Sequence, residues 1–420
     1  MSTETSVTAT GTDATGTDAT TGTTGTTGTA GTAGTAGTTS GTGVHGTVAE
    51  GYEAVREEFA AFVAGEEHDP AAQLAAYKDG RLVVDLWAGD VTGDSLTGVF
   101  STTKGAAHLV VALLVQDGVL DLDREVAHYW PEFAAEGKGS VTLRQLLSHR
   151  AGVIGADDGF TSDELADDRV IAERLAGQRP FWQPGVGHGY HALAIGALTG
   201  EVVRRATGRL LQEIFEERVR APYGLDFFLG LPEAERARYR DVLPMLPTPE
   251  QATELTANPS GRYNRLAIAF NTSADPSFDL VAFANSAASL AKGPASVGGA
   301  GNARGIAGMY AATLGDFHGQ GPLLKRETVA EFARLHSTGP DLVLGNPSDF
   351  GLGFQALGMS YPSLGADTFG HSGAAGSLAF GDPRTGLAYG YTRRRFAFPG
   401  GAAPENERLS RTVYEAALAQ

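Results

Sequence analysis

The chain has 420 residues, is 42 % hydrophobic, lacks cysteine and carries a net charge of −17. That length supports one large domain or two joined ones, the acidity argues against nucleic acid and anionic membranes as partners, and the missing cysteine excludes disulfides, a thiol nucleophile and thiolate metal sites. No apolar run approaches the roughly 18 residues needed to span a bilayer. Residues 1–46 are nearly all Thr, Gly and Ala, with glycine at every third position from Gly22 to Gly37. That period is collagen's, but no proline precedes Pro70, so a disordered, flexible tail is expected. It has no basic residue and no apolar block, which reads as no secretory signal and a cytoplasmic protein. Glu4, Asp13 and Asp18 are its only charges, so a net −14 belongs to the remainder.

From Thr47 to about Glu66, Val48, Tyr52, Val55, Phe59 and Phe62 recur at helical spacing. Residues 73–77 and 81–88 flank Asp79-Gly80, a strong hairpin turn. Val99-Phe100-Ser101 then leads into an apolar helix ending near Gly118. A mainly helical middle covers 142–147, 163–176, 192–207 and 210–220, bounded by Pro180, Pro184 and Pro222. The stretch 244–301, rich in Pro, Asn, Ser and Gly, reads as irregular or lid-like. Residues 303–314 and 325–335 are helical again. A β-meander follows over 351–358, 367–373, 377–381 and 387–393, and 406–419 closes the chain as an amphipathic helix. Strands at both ends with helices between them predict an α+β fold, an α/β sandwich. Its antiparallel sheet is built from residues 47–125 and 300–420, and a helical domain of 126–299 is inserted.

Ser101 and Lys104 are three residues apart, so on a helix they share one face, one turn apart. A serine hydroxyl needs a base to take its proton, and a lysine whose pKa burial depresses can be that base. The helix behind them is apolar nearly all round and should be buried, which partly desolvates Lys104. A second Ser-x-x-Lys, Ser289–Lys292, runs straight into Gly293-Pro294 and starts no such helix.

Tyr190 ends the Gly-rich stretch Trp182–His191, and its phenol can relay a proton beside a lysine. His188-x-x-His191 lacks the Glu of the zinc-helix pattern and is broken by Gly189, so no metal is expected; His191 reads as a supporting hydrogen-bonding group. Gly370-His371-Ser372-Gly373-Ala374 lies on an expected strand whose small residues would let a substrate approach the edge, where backbone N–H groups can hold an oxyanion.

Ser-x-x-Lys, a tyrosine some ninety residues on and a small-residue strand motif near the C-terminus together resemble the serine β-lactamase/penicillin-binding superfamily, in particular the class C β-lactamase-like carboxylesterases of esterase family VIII. Leu146–Gly152, Trp182–Gly185 and Ala303–Ala307 extend the resemblance, which runs from about Thr47 to the C-terminus. It implies the β-lactamase/transpeptidase-like fold, Ser101 as nucleophile, Lys104 and Tyr190 as shared general base, and the backbone N–H groups of Ser101 and Ala374 as oxyanion hole. It also implies a substrate pocket near His371, Ser372, Gly373, His191 and Trp182, and no cofactor. Two positions depart from the family. Tyr190-His191-Ala192 lacks the asparagine of Tyr-x-Asn, and His371-Ser372-Gly373 replaces Lys-Thr-Gly, removing a cation unless His371 is protonated. Both changes point to a neutral small-molecule ester of short to medium acyl chain. A β-lactamase, D-amino-peptidase, amide hydrolase or acyltransferase using the same acyl-enzyme is the alternative, and a non-enzymatic scaffold the third. Nothing in the sequence sets an oligomeric state.

Overall fold

The computed structural model describes residues 43–68, 70–256, 264–273 and 278–420. The segment before Gly43 lies outside them. The main sheet is built from β1 (Val44–Val48), β2 (Ala72–Lys78), β3 (Arg81–Ala88), β7 (Gln355–Ala356), β8 (Phe369–Ser372), β9 (Leu378–Asp382) and β10 (Leu387–Arg393), in the order β1-β3-β2-β10-β9-β8-β7. Every pairing is antiparallel. The β2–β3 hairpin turns at Asp79-Gly80, both at positive φ (47° and 74°), the backbone a two-residue hairpin turn demands.

Side chains on the central strands sort by size. Leu74, Ala76, Phe380, Tyr389 and Tyr391 face one way, covered by α1 (Glu53–Gly65) and the terminal helix Glu405–Leu418. Ala75, Ala379 and Ala388 face the other way, under the helix Ala303–Leu314. Small residues let that helix lie close: a Cβ on Gly390 would sit 2.4 Å from the Ala303 carbonyl oxygen. Burying each large apolar side chain contributes about 1.5–3 kcal/mol, so the two faces fix the sheet between its helices.

Helix α2 (Thr103–Gln116) is buried from Thr103 through Leu114, as its all-round apolar sequence requires. A second, small sheet runs β4 (Thr97–Gly98), β6 (Gly299–Gly301), β5 (Phe227–Leu229), in the order β4-β6-β5. Strands this short carry no periodicity, and two are glycine-rich, so no pattern marked them. They tie the turn before α2 to the segment around residue 299: Val99 N–H donates to the Gly299 carbonyl at 3.0 Å and Gly299 N–H to Thr103 Oγ1 at 2.9 Å.

Several elements differ from the sequence expectation. Val44–Val48 is a strand, so Val44, His45 and Gly46 are not tail and the helix starts only at Glu53. Gly46, at φ 96°, lies where a Cβ would come 1.9 Å from the Asp85 carbonyl oxygen; a strand needing such a residue looks like the Gly/Thr run before it. The stretch 244–301 holds the short helices Pro249–Thr256, Arg265–Ala269, Leu280–Asn285 and Ala287–Lys292, besides β6; its residues 257–263 and 274–277 lie outside the described residues. Of 351–358 only Gln355–Ala356 is strand, because Gly353 turns at φ 80° to pass the His108 ring. The helix expected over 163–176 is two, Ser162–Leu165 and Asp168–Ala176, the second capped by Asp167. No helix of the described residues is long and apolar enough to cross a membrane.

Candidate active site

Ser101 sits on the 3-10 turn Phe100–Thr102 that feeds α2. Phe100 takes φ 48°, in the left-handed region, a conformation that costs on the order of 1 kcal/mol for a bulky residue. Its buried ring, edge-on to Phe396 at 5.8 Å, holds it there. One turn on, Lys104 is fully buried. Its Nζ donates to Ser101 Oγ at 3.0 Å and to the Ser296 carbonyl at 2.8 Å. Burial holds the lysine well below its usual pKa. No carboxylate forms an ion pair with it among the described residues.

Tyr190 closes the same group. It lines the same cavity as Ser101, near enough for the serine to act on its phenol, and its ring lies 5.0 Å from Lys104 Nζ. Burial raises the phenol's pKa, the serine contact lowers it, and the nearby Asp341 charge raises it. The ring stacks on Phe350 (5.9 Å, 7°). Behind it, Gly189 N–H donates to the His149 carbonyl at 3.0 Å and His191 N–H to His149 Nδ1 at 3.2 Å.

The turn after β8 approaches the serine from the other side. Ser377 Oγ donates to the Val99 carbonyl at 2.8 Å, and Thr102 Oγ1 to the His371 carbonyl at 3.3 Å. A Cβ on Gly373 would lie 2.2 Å from the Val99 oxygen, so only glycine lets the two turns meet. Neither Ser101 nor Ala374 N–H donates to a protein acceptor among the described residues. These groups open on a cavity of about 610 Å³, lined by Ser101, Tyr190, Ser372, Gly373, Ala374 and Gln355 on one side. Leu266, Phe270, Leu280, Leu344, Phe396 and Pro399 form its apolar walls. No charged side chain lines it among the described residues.

The structure thus brings Ser101, Lys104, Tyr190, Ser372, Gly373 and Ala374 together, and sets three pocket candidates behind the wall. His371 is fully buried, its Nδ1 bonded to the Ser372 carbonyl at 2.8 Å and its Nε2 without a partner. Burial, then Lys104, hold it far below the ordinary histidine pKa, so it is no cation at neutral pH. His191 is buried too, accepting from Val153 N–H at 3.2 Å and bonded to the Gly189 carbonyl at 2.7 Å. Trp182 packs edge-on to His191 (5.9 Å, 81°) and lines no part of the cavity. His371 and His191 face the interior, and Trp182 is half-buried against His191. The second Ser-x-x-Lys falls apart: Ser289 is buried with its hydroxyl unpartnered, while Lys292 is half-exposed on Asp167. No group of three or more metal-ligating side chains occurs among the described residues.

Sequence reasoning missed four contributors. Ser296 acts through its carbonyl, which no side-chain pattern reveals. His149 lies in the matched stretch Leu146–Gly152, and its positive φ (59°) turns its backbone toward residues 189–191. His108 is buried one turn beyond Lys104 with both ring nitrogens unpartnered. Asp341, 151 residues from Tyr190, accepts that residue's N–H; Gly339-Pro340 before it signals only a turn.

The Beta-lactamase family profile matches residues 55–412. The chain is 39 % identical to EstA from Arthrobacter nitroguajacolicus Rue61a, over 89 % of this chain and 98 % of that one, with a TM-score of 0.82. A family VIII carboxylesterase of known structure is 33 % identical over 89 % and 99 % of the two chains, with a TM-score of 0.79. The esterase/beta-lactamase LipL of Mycobacterium tuberculosis is 32 % identical over 86 % of this chain and 85 % of its own length. With the family profile spanning all but the ends of the described fold, the chain belongs to the beta-lactamase family and has the β-lactamase/transpeptidase-like fold.

Proposed function

We propose that this enzyme, of the β-lactamase-like carboxylesterase type, cleaves neutral carboxylic esters of short to medium acyl chain through an acyl-enzyme on Ser101. One observation carries the reading: a buried lysine amine 3.0 Å from a serine hydroxyl, at the floor of a cavity with no charged side chain in its lining among the described residues. Lys104, held toward its neutral form, accepts the Ser101 proton while Oγ attacks the acyl carbonyl. The N–H groups of Ser101 and Ala374 stabilise the oxyanion. Collapse expels the alcohol, which takes the proton through Lys104 and Tyr190. Water, deprotonated by the same pair, then attacks the ester on Ser101; the acyl–Oγ bond breaks, Ser101 Oγ takes that proton back, and the acid leaves. In this reading the helical segment 126–299 is a domain supplying Tyr190 and the Ser296 carbonyl, and the two chain ends supply the rest.

The acyl-enzyme would also serve a β-lactamase, amidase or acyltransferase, and LipL carries both esterase and beta-lactamase in its name. One observation favours esters: among the described residues the cavity lining offers no cation for a carboxylate. The test is hydrolysis of p-nitrophenyl butyrate by wild type and Ser101→Ala, with fluorophosphonate labelling read by peptide mass. Activity and labelling should both vanish in the variant; equal rates sink the reading.

A further inference from the structure

The Asp341 carboxylate is only 3 % exposed, and no ion pair among the described residues includes it. Burying a lone carboxylate is costly unless several donors surround it. Here they do. Tyr190 N–H donates to both oxygens at 3.2 Å, Val343 and Leu344 N–H to Oδ1 at 2.8 and 2.9 Å, and Ser348 Oγ to Oδ2 at 2.7 Å. Ser348 is in turn bonded to His188 Nε2 at 3.1 Å. The backbone adds a rung: Leu342 N–H donates to the His188 carbonyl at 2.9 Å. One carboxylate therefore grips both the residue whose phenol meets Ser101 and the segment whose Leu344 walls the cavity.

We propose that Asp341 is a positioning residue that sets Tyr190 against Ser101 and locks the Leu344 wall to it, so that the acid–base phenol and the acyl-binding surface form one rigid unit. This rests on the hydrolase reading of the Ser101 site. A displacement of about 1 Å at a reacting group can cost up to about 10²-fold in rate, and the five bonds to Asp341 hold Tyr190 within that tolerance. Its charge acts too, because it opposes ionisation of a phenol whose ring is faced by Lys104, His149 and His371, and it also acts on the buried His191.

The test compares wild type, Asp341→Ala and Asp341→Asn as full chains, with kcat and KM for p-nitrophenyl butyrate and octanoate corrected for folded fraction by circular dichroism. Asp341→Ala should lose tenfold or more in kcat on both esters and raise KM more for the octanoate, which reaches the wall. Asp341→Asn keeps the acceptor oxygen and should recover part of the kcat. Its alkaline rate limb should move to lower pH, because a charge that opposes phenolate formation is gone. A merely structural role would scale activity with folded fraction and leave the limb in place. Should Asp341→Ala not fold, the kcat and alkaline limb of Asp341→Asn decide alone. Folded variants with wild-type kcat and an unmoved limb overturn the proposal. Wild type that fails on butyrate, or Ser101→Ala that keeps the rate, removes the hydrolase reading and this inference with it; active wild type beside indifferent Asp341 variants removes only the inference.

Discussion

Replacing Lys104 by methionine separates the amine from the packing. Methionine keeps the unbranched stem within the buried helix and deletes the group 3.0 Å from Ser101 Oγ and 2.8 Å from the Ser296 carbonyl. If the amine is the proton acceptor of the proposed mechanism, kcat should fall by about 10²–10⁴-fold, equivalent to about 2.7–5.4 kcal/mol of barrier. The stability change carries a separate signature. The folded lysine binds its proton more weakly than the unfolded one, whose pKa is near 10.5. Between the two pKa values the unfolded chain holds a proton that the folded chain lacks, so wild-type stability climbs with pH, by up to about 1.4 kcal/mol per unit, until the unfolded lysine also deprotonates. The methionine variant lacks that climb. It leaves the Ser296 carbonyl short of a donor, at about 1–3 kcal/mol, a cost that does not vary with pH. Urea unfolding of both proteins at pH 7, 8.5 and 10, beside p-nitrophenyl butyrate rates, gives both numbers. A variant keeping more than a tenth of wild-type kcat, or a stability difference flat in pH, refutes the buried-base argument.

The buried histidines give an acid prediction. Burial brings His108 down to about 3 and His191 to about 4, against an ordinary 6.5. Below pH 6.5 the unfolded chain takes up protons that the folded chain refuses, so stability drops as pH falls, on the order of 2 kcal/mol for each ring at pH 5; a urea midpoint unchanged between pH 7 and 5 contradicts this. The cavity lining, uncharged among the described residues, gives a substrate prediction. One cephalosporin presented as its free acid and as its neutral methyl ester should be opened faster as the ester, by about 10- to 10²-fold, because an unpaired carboxylate forfeits roughly 1.5–3 kcal/mol of charge-assisted bonding; faster turnover of the free acid in a chromogenic assay speaks for the lactamase alternative.

How far the sequence reaches depends on whether a feature is local. The Ser101–Lys104 spacing and the apolar run behind it are local, and the buried α2 with both groups at its start follows from them. The Asp79-Gly80 hairpin and the β9–β10 meander are local as well. His371 and Trp182 were misread because nearness in sequence to Gly373 or Tyr190 says nothing about which way a side chain turns; alternation on β8 sends His371 inward and leaves Ser372 at the cavity. The Ser296 carbonyl and Asp341 reach the site only through tertiary contacts, 192 and 151 residues away from their partners. The strand Val44–Val48 escaped notice because its composition continues the Gly/Thr run, and only its pairing with Val84–Ala88 distinguishes it.

The groups around Ser101 are held by hydrogen bonds and sterics, not by ion pairs, and the one carboxylate among them, Asp341, holds Tyr190 through its backbone N–H. Gly299 fastens the start of α2, Ser377 and Thr102 fasten the Gly373 turn, and His149 and Asp341 fasten Tyr190. This choice has a physical reason. A carboxylate beside Lys104 would stabilise its ammonium form and abolish the base; a cation lining the cavity would draw carboxylates to a site whose other walls are apolar. Burial alone lowers the lysine, and burial needs close packing, which the glycines at 373 and 353 permit by letting a neighbouring turn and the His108 ring come within contact. The fold therefore tolerates a desolvated amine, an unpartnered histidine and a left-handed Phe100 at one place. Each costs stability, and each is what keeps a neutral amine, a neutral ring and an accessible hydroxyl beside the cavity.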